Sequence, residues 1–110
     1  MITWFYGNTD SGKSSISSAY AQMTEAIHLD GDELRKIWPE LGLDERSRRT
    51  QNTRAMNLAM YLESQGFDVV VSTICPYRDQ RSEIYDTLNC KFVYIHGGKS
   101  GSDYPFERGE

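Results

Sequence analysis

Short apolar runs alternate along this chain with longer stretches in which apolar residues recur every three or four positions. Ile2 to Tyr6 is rich in β-branched and aromatic residues and predicts a strand. Ile16, Ala19, Tyr20 and Met23 then fall at helical spacing and predict one buried stripe. Ala26 to Leu29 predicts a second short strand, and Asp32 to Ile37 a helical turn stopped by Pro39. From Glu45 to Gln65 the pattern predicts the longest helix, with Ala55, Leu58, Ala59 and Leu62 on its core side and Gly66 ending it. Val69 to Val71 is continuously apolar, as expected of a strand buried on both faces. Arg78 to Leu88 predicts a further helix and Phe92 to Ile95 a fourth strand. Residues 97–110 are glycine-rich and polar and read as a loop or tail. Strands alternating with helices indicate an α/β fold with a parallel sheet.

At 110 residues the expectation is a single domain, 1–110. Apolar residues make up 38% and mean hydropathy is −0.61, which is polar for a globular domain. The net charge of −4 argues against a nonspecific nucleic-acid surface. No apolar run approaches the ~20 residues of a membrane span. The opening MITWFYG has no basic leader, and the two cysteines, Cys75 and Cys90, form no disulfide framework. Both features point to a reducing cytoplasm. His28 and His96 are isolated, so no metal-binding cluster is expected from them.

Chemistry concentrates first in Gly7, Asn8, Thr9, Asp10, Ser11, Gly12, Lys13 and Ser14, spaced G-x-x-x-x-G-K-S between a strand and a helix. That context makes the spacing a phosphate cradle. Glycines let backbone N–H groups turn onto phosphate oxygens, and the helix N-terminus adds its positive end. Lys13 reaches toward the β and γ phosphates, Ser14 offers a hydroxyl to Mg²⁺, and Ser15 completes the first turn. Asp10 is unusual in an anion site and is expected to point outward or to cap the helix.

Three more clusters fall where ligands of open α/β sheets sit, beyond the carboxyl ends of the strands. In HLDGDELR, Asp30 and Asp32 flank Gly31, which permits a sharp turn. One carboxylate is placed to activate a hydroxyl or position Mg²⁺, and Arg35 to hold an anion. The competing role for Asp32 is helix N-cap. In RSRRTQNTR, extending the core stripe backward reaches Gln51, Asn52 and Arg48, so polar residues face inward where the core gives way to a cleft. Arg46, Arg49 and Arg54 lie off that line and are expected in solvent. In STICPYR, Ile74, Cys75 and Pro76 follow the valine strand, and Arg78 or Arg81 is available to an anion. Cys75 has no evident histidine partner and is not expected to act as a nucleophile.

Together these pieces resemble adenylyl-sulfate kinases, the P-loop enzymes that move the ATP γ-phosphate to the 3′-hydroxyl of adenosine 5′-phosphosulfate. Trp4-Phe5-Tyr6-Gly7 is similar to the family's W-F-T-G, and Leu29, Asp30, Gly31, Asp32 and Arg35 reproduce its L-D-G-D-x-x-R. Leu41, Gly42, Leu43 and Arg48 echo L-G-F-S and the arginine that follows. Gln51 takes the family asparagine position with Asn52 beside it, and Arg54 matches the last arginine. Ile74-Cys75-Pro76-Tyr77-Arg78 resembles I-S-P-Y-R, and Gly101, Asp103, Pro105, Phe106 and Glu107 resemble the closing G-x-D-x-P-Y-E. The resemblance implies a P-loop three-layer sandwich with about four parallel strands in the order 2-3-1-4, joined by right-handed crossovers. It implies ATP and Mg²⁺ as cofactors, Lys13, Asp32 and Asp30 as the catalytic set, and Ser14 with Asp32 at the metal. It implies that Asp32, Arg35, Arg48, Gln51, Asn52, Ile74, Cys75, Pro76, Lys99 and Gly101 meet the acceptor substrate. A homodimer is left open.

The departures are specific. Cys75 replaces a serine that is phosphorylated in some members. Leu43 and Lys99 stand where two phenylalanines stack on the substrate base, a loss worth about 1–3 kcal/mol per base. His96 to Ser100 replace a longer basic lid, and the family's fifth strand and last helix have no counterpart. Two alternatives therefore stay open beside the adenylyl-sulfate kinase. One is a kinase of another small hydroxyl acceptor, the other a nucleotide-binding or interaction domain without turnover.

Overall fold

In the computed structural model, which describes residues 1–8, 11–97 and 106–107, strand β1 (Ile2–Tyr6) lies between β3 (Val69–Thr73) and β4 (Lys91–Tyr94). Strand β2 (Ile27–Asp30) lies beyond β3. All three pairings are parallel and the order is β2-β3-β1-β4, as expected. The register sets Ile2 and Trp4 opposite Val69 and Val71, and Leu29 opposite Val71. These residues share one sheet face. There they pack with Ala55, Met56 and Ala59 of α3 (Glu45–Ser64), Ile84 of α4 (Arg78–Leu88) and Leu34 of the short α2 (Gly31–Ile37). Phe5 and Val70 face the other way and meet Ala21 of α1 (Lys13–Thr24). Helices therefore cover both faces, which makes the three-layer sandwich. All five β3 residues are buried, which explains why that strand reads as a continuous apolar run.

Several boundaries differ by one residue from the sequence expectation. β2 ends at Asp30 rather than Leu29 because Asp30 still pairs with Ser72 while capping α2. β4 begins at Lys91 and stops at Tyr94, although the Ile95 N–H still donates to the Tyr6 carbonyl at 2.8 Å. α2 starts at Gly31, and α3 ends at Ser64 before Gly66, whose φ of +95° suits glycine.

The apolar stripe expected on α1 is displaced. Ile16 is 47% and Met23 82% exposed, and Ala19 is exposed too. Ser17 and Ala21 face the sheet instead, with Tyr20 half-buried beside Phe5. The helix starts directly at Lys13, after Gly12 in the left-handed conformation at φ +89°. The loop thus fixes the helix's rotational phase, and small residues bring it close to the sheet.

Three charged residues expected at a ligand or in solvent make structural contacts. Arg81 is buried. It donates to the carbonyls of Cys75, at 2.7 Å, and of Glu107, with its guanidinium 4.9 Å from the Tyr6 ring centre. Arg49 pairs with Glu45 and Asp79 and lies 4.3 Å over the Tyr77 ring, while Arg54 pairs with Glu40. The described part of the 97–110 segment is pinned. The Glu107 N–H donates to the Pro76 carbonyl at 2.7 Å, and its carboxylate accepts from the Arg78 N–H at 3.0 Å. That carboxylate supplies the N-terminal partner that α4 lacks from its own N-cap, Tyr77.

A Cβ on Gly7 would lie 2.5 Å from the backbone carbonyl oxygen of Ile95. Gly7→Ala is expected to cost about 1–3 kcal/mol, because a backbone atom cannot swing aside. Urea denaturation measures it, and an unchanged midpoint would contradict this close approach.

Candidate functional site

The cleft forms where β1, β2 and β3 end. One wall is the start of α1, because β1 runs into the glycine loop and the loop into Lys13. The second is the Asp30–Gly31–Asp32 turn, where β2 passes straight into α2. The third is the N-terminal half of α3. Gly12 to Ser15, Asp30 to Asp32, Arg35, Arg48, Gln51, Asn52 and Ile74 to Pro76 line one space of ≈ 260 Å³. Residues 60 positions apart in sequence thus meet at one edge. Ser72 and Thr73 line it too. The STICPYR stretch includes both, but sequence reasoning gave them no role, since hydroxyls closing a valine run look like ordinary strand residues.

Gly7 and Asn8 are buried below the cleft rather than in its wall. The Lys13 ammonium reaches back to the Asn8 carbonyl at 3.4 Å. Thr9, Asp10, Lys99 and Gly101 lie outside the described residues, and so does the expectation that Asp10 points outward or caps α1.

Three features of the turn come from the fold rather than from the sequence pattern. The N-cap of α2 is Asp30, whose Oδ2 accepts from the Asp32 N–H at 3.2 Å, so Asp32 is not the cap. The carboxylate that meets Ser14 is also Asp30: the Ser14 hydroxyl donates to its Oδ1 at 2.9 Å. Asp32 is exposed at the cleft. Gly31, expected to permit a sharp turn, also serves close approach. A Cβ there would lie 3.2 Å from the Ser72 carbonyl oxygen, and the Gly31 φ is not positive. Gln51 anchors this contact by donating to the Gly31 carbonyl at 2.8 Å, so its amide nitrogen holds the turn.

Behind the turn, Ser72 donates to Asp30 Oδ1 at 2.9 Å. Burial alone would raise the Asp30 pKa. The hydrogen bonds from Ser72 and Ser14, the nearby His28 and the Asp32 N–H outweigh it and hold Asp30 below its ordinary value, hence ionised. Burial lowers His28, against the opposing pull of Asp30.

Among the described residues, the buried side-chain atoms without a partner are Ser11 Oγ, Arg35 Nε, Asn52 Oδ1 and Gln80 Oε1. Arg35 and Asn52 line the cleft and Ser11 belongs to the loop. An unmet buried polar atom costs about 1–3 kcal/mol, which a ligand in the cleft would offset. Arg48, also in the wall, donates through Nε to the Leu43 carbonyl at 2.6 Å, leaving its terminal nitrogens for a ligand. Ser14 with an ionised carboxylate behind it is oxygen-only chemistry, which suits a hard cation such as Mg²⁺. No cluster of three histidine, cysteine or acidic side chains suited to a metal occurs among the described residues. The arrangement therefore fits a cation completed by phosphates and water.

The sequence profile of the adenylylsulphate kinase family matches residues 1–101. The chain belongs to that family. A probable adenylyl-sulfate kinase of Archaeoglobus fulgidus is 30% identical over 86% of this chain and 64% of its own length. A cytidine diphosphoramidate kinase of Campylobacter jejuni is 34% identical over 77% of this chain and 51% of its own. The Mycobacterium tuberculosis APS kinase CysC in complex with AMPPNP and APS superposes with a TM-score of 0.70 at 27% identity. That match covers 84% of this chain and 59% of the other. The chain thus spans between about half and two thirds of these relatives. No helix among the described residues is long and apolar enough to cross a membrane.

Cys75 lines the cleft, yet it is fully buried and its thiol pKa is pushed up to about 12 by that burial; the Cys90 thiol is pushed up to about 11 for the same reason. Both thiols are therefore expected to resist a disulfide reagent at pH 8 and to react only when the chain unfolds. Rapid labelling of Cys75 in the native protein would contradict this placement.

Proposed function

We propose that the chain binds Mg-ATP in the glycine loop and transfers the γ-phosphate to a hydroxyl of a small anionic acceptor. Adenosine 5′-phosphosulfate is the first candidate. The observation that carries this is the shared cleft. A loop-to-helix phosphate cradle opens onto the same space as two carboxylates, two arginines and an unpartnered amide oxygen. A domain that only bound nucleotide would have no use for that second wall.

In this reading Gly7 to Ser15, Asp10 included, surround the ATP phosphates, and Lys13 neutralises their charge. Ser14, with Asp30 behind it, and Asp32 would hold Mg²⁺, which would spread charge over the phosphate oxygens. Asp32 orients the acceptor hydroxyl or takes its proton. Arg35, Arg48 and Asn52 hold the acceptor's anionic and polar groups, with Ile74, Cys75 and Pro76 forming the floor. Gln51 acts through the Gly31 turn. Lys99 and Gly101 belong to the closing side. Catalysis is then positioning plus charge neutralisation. Two buried free thiols fit a reducing cytoplasm.

A second acceptor is favoured by one observation. Leu43, where the family places a stacking phenylalanine, is 59% exposed and carries no ring. The C. jejuni relative, by its name, acts on a cytidine compound. An acceptor with a different base is therefore the alternative within the same chemistry.

Transfer of labelled γ-phosphate tests this with adenylyl sulfate and a cytidine diphosphate compound offered separately. One acceptor is expected to be labelled. Asp32→Asn should lower the rate by about 10²–10⁴-fold, and Lys13→Ala should abolish transfer. Labelling that survives both substitutions would overturn the assignment, and labelling of neither acceptor would favour a binding domain without turnover.

A further inference from the structure

We propose that His28, through one ring N–H, is a positioning residue that orders a Ser72–Asp30–Ser14 hydrogen-bond chain and so sets how tightly the loop holds a magnesium-bound polyphosphate. The inference rests on the Mg-ATP reading above and gives a role to a residue that the motifs leave without one.

His28 lies on β2 two residues before Asp30, so both side chains project to the same side of the strand. Its Nε2 is 2.9 Å from Ser72 Oγ on β3 and 3.1 Å from Ser17 Oγ on α1. The direction of each bond follows from proton count. An ionised carboxylate only accepts, so Ser14 and Ser72 both donate to Asp30 Oδ1. Ser72 has one proton, already committed to Asp30, so it meets His28 as an acceptor. The Ser17 proton lies on the Ser14 carbonyl at 3.2 Å, so Ser17 is an acceptor as well. Both contacts therefore require the ring proton on Nε2, shared between the two serines.

One N–H thus ties three elements together behind the cleft. It turns the Ser72 hydroxyl so that its proton points at Asp30. It also braces Ser17, one turn after Ser14 on α1. Asp30 Oδ1 is then held by two hydroxyls, one of which, Ser14, faces the cleft. A leucine at 28 would fill comparable space but leave Ser72 free to turn its proton elsewhere. A glutamine can place an N–H near the same point.

Calorimetric titration of ATP, with and without Mg²⁺, tests this on the parent, His28→Leu, His28→Gln and Ser72→Ala. Losing a partner behind a metal ligand typically weakens metal affinity by 10- to 100-fold, so His28→Leu and Ser72→Ala should each weaken Mg-ATP binding about tenfold. ATP binding without Mg²⁺ should stay within about twofold, because the loop's backbone donors are untouched. His28→Gln should recover most of the loss. The double variant His28→Leu with Ser72→Ala should be no weaker than either single one, since both break the same chain. Parent-like Mg-ATP binding by His28→Leu or by Ser72→Ala would overturn the inference. So would equal losses with and without Mg²⁺, or a glutamine no better than leucine. Should His28→Leu not fold, Ser72→Ala and His28→Gln decide it. A parent that binds no Mg-ATP would overturn the functional reading, and this inference with it. A parent that binds Mg-ATP, with unchanged variants, would overturn this inference alone.

Discussion

The register between β2 and β3 is the constraint on which the rest depends. It sets Asp30 opposite Ser72 at the end of both strands. β1, paired in turn with β3, brings Tyr6 opposite Thr73 and delivers the glycine loop to the same edge. A slip of one residue would turn every strand side chain to the other face. A slipped β2 would take Asp30 from Ser72 and Ser14 at once, and a slipped β1 would take Trp4 from the core, where it is fully buried and donates to Thr73 at 3.0 Å. Core packing and site geometry are therefore specified by the same pairing.

The charged network around the cleft is more structural than its sequence suggests. Arg81 and Glu107 link α4, the Cys75–Pro76 bend and the chain near its C-terminal end. Cys75 itself has φ +45°, a conformation that costs a non-glycine residue energy and is held by its surroundings. Arg49 spans α3, Asp79 and Tyr77. These contacts hold α3 and the Cys75–Pro76 bend in place, while Arg49, Arg81 and Glu107 themselves do not line the cleft. Arg35 and Asn52, whose buried atoms lack partners, remain to meet a ligand.

Much of this was legible in the sequence because its signals are local. A run such as Ile2–Tyr6 states its own strand, and G-x-x-x-x-G-K-S between strand and helix states its own geometry. Tracing the α3 stripe backward correctly placed Gln51 and Asn52 inside, since helical periodicity carries past the point where residues stop being apolar. What escaped depends on distant partners. The rotation of α1 is fixed by the loop, so its larger apolar residues did not mark the buried face; Ser17 and Ala21 did. Asp30 and Asp32 look equivalent until the fold shows Asp30 held by Ser14 and Ser72. His28 is a lone histidine in sequence, and its meaning comes from two serines on other elements. The capping of α4 by Glu107 spans 29 positions and has no local signature.

The most direct test of the account is a crystal structure with Mg²⁺ and a non-hydrolysable ATP analogue. The account predicts the β-phosphate within the loop, with Lys13 turned toward it. It predicts the metal about 2.1 Å from Ser14 Oγ, on the side of Asp30 and Asp32, with Arg35 and Asn52 facing the open acceptor space. A nucleotide bound elsewhere, or a metal remote from Ser14 with the Ser14–Asp30 contact undisturbed, would contradict it.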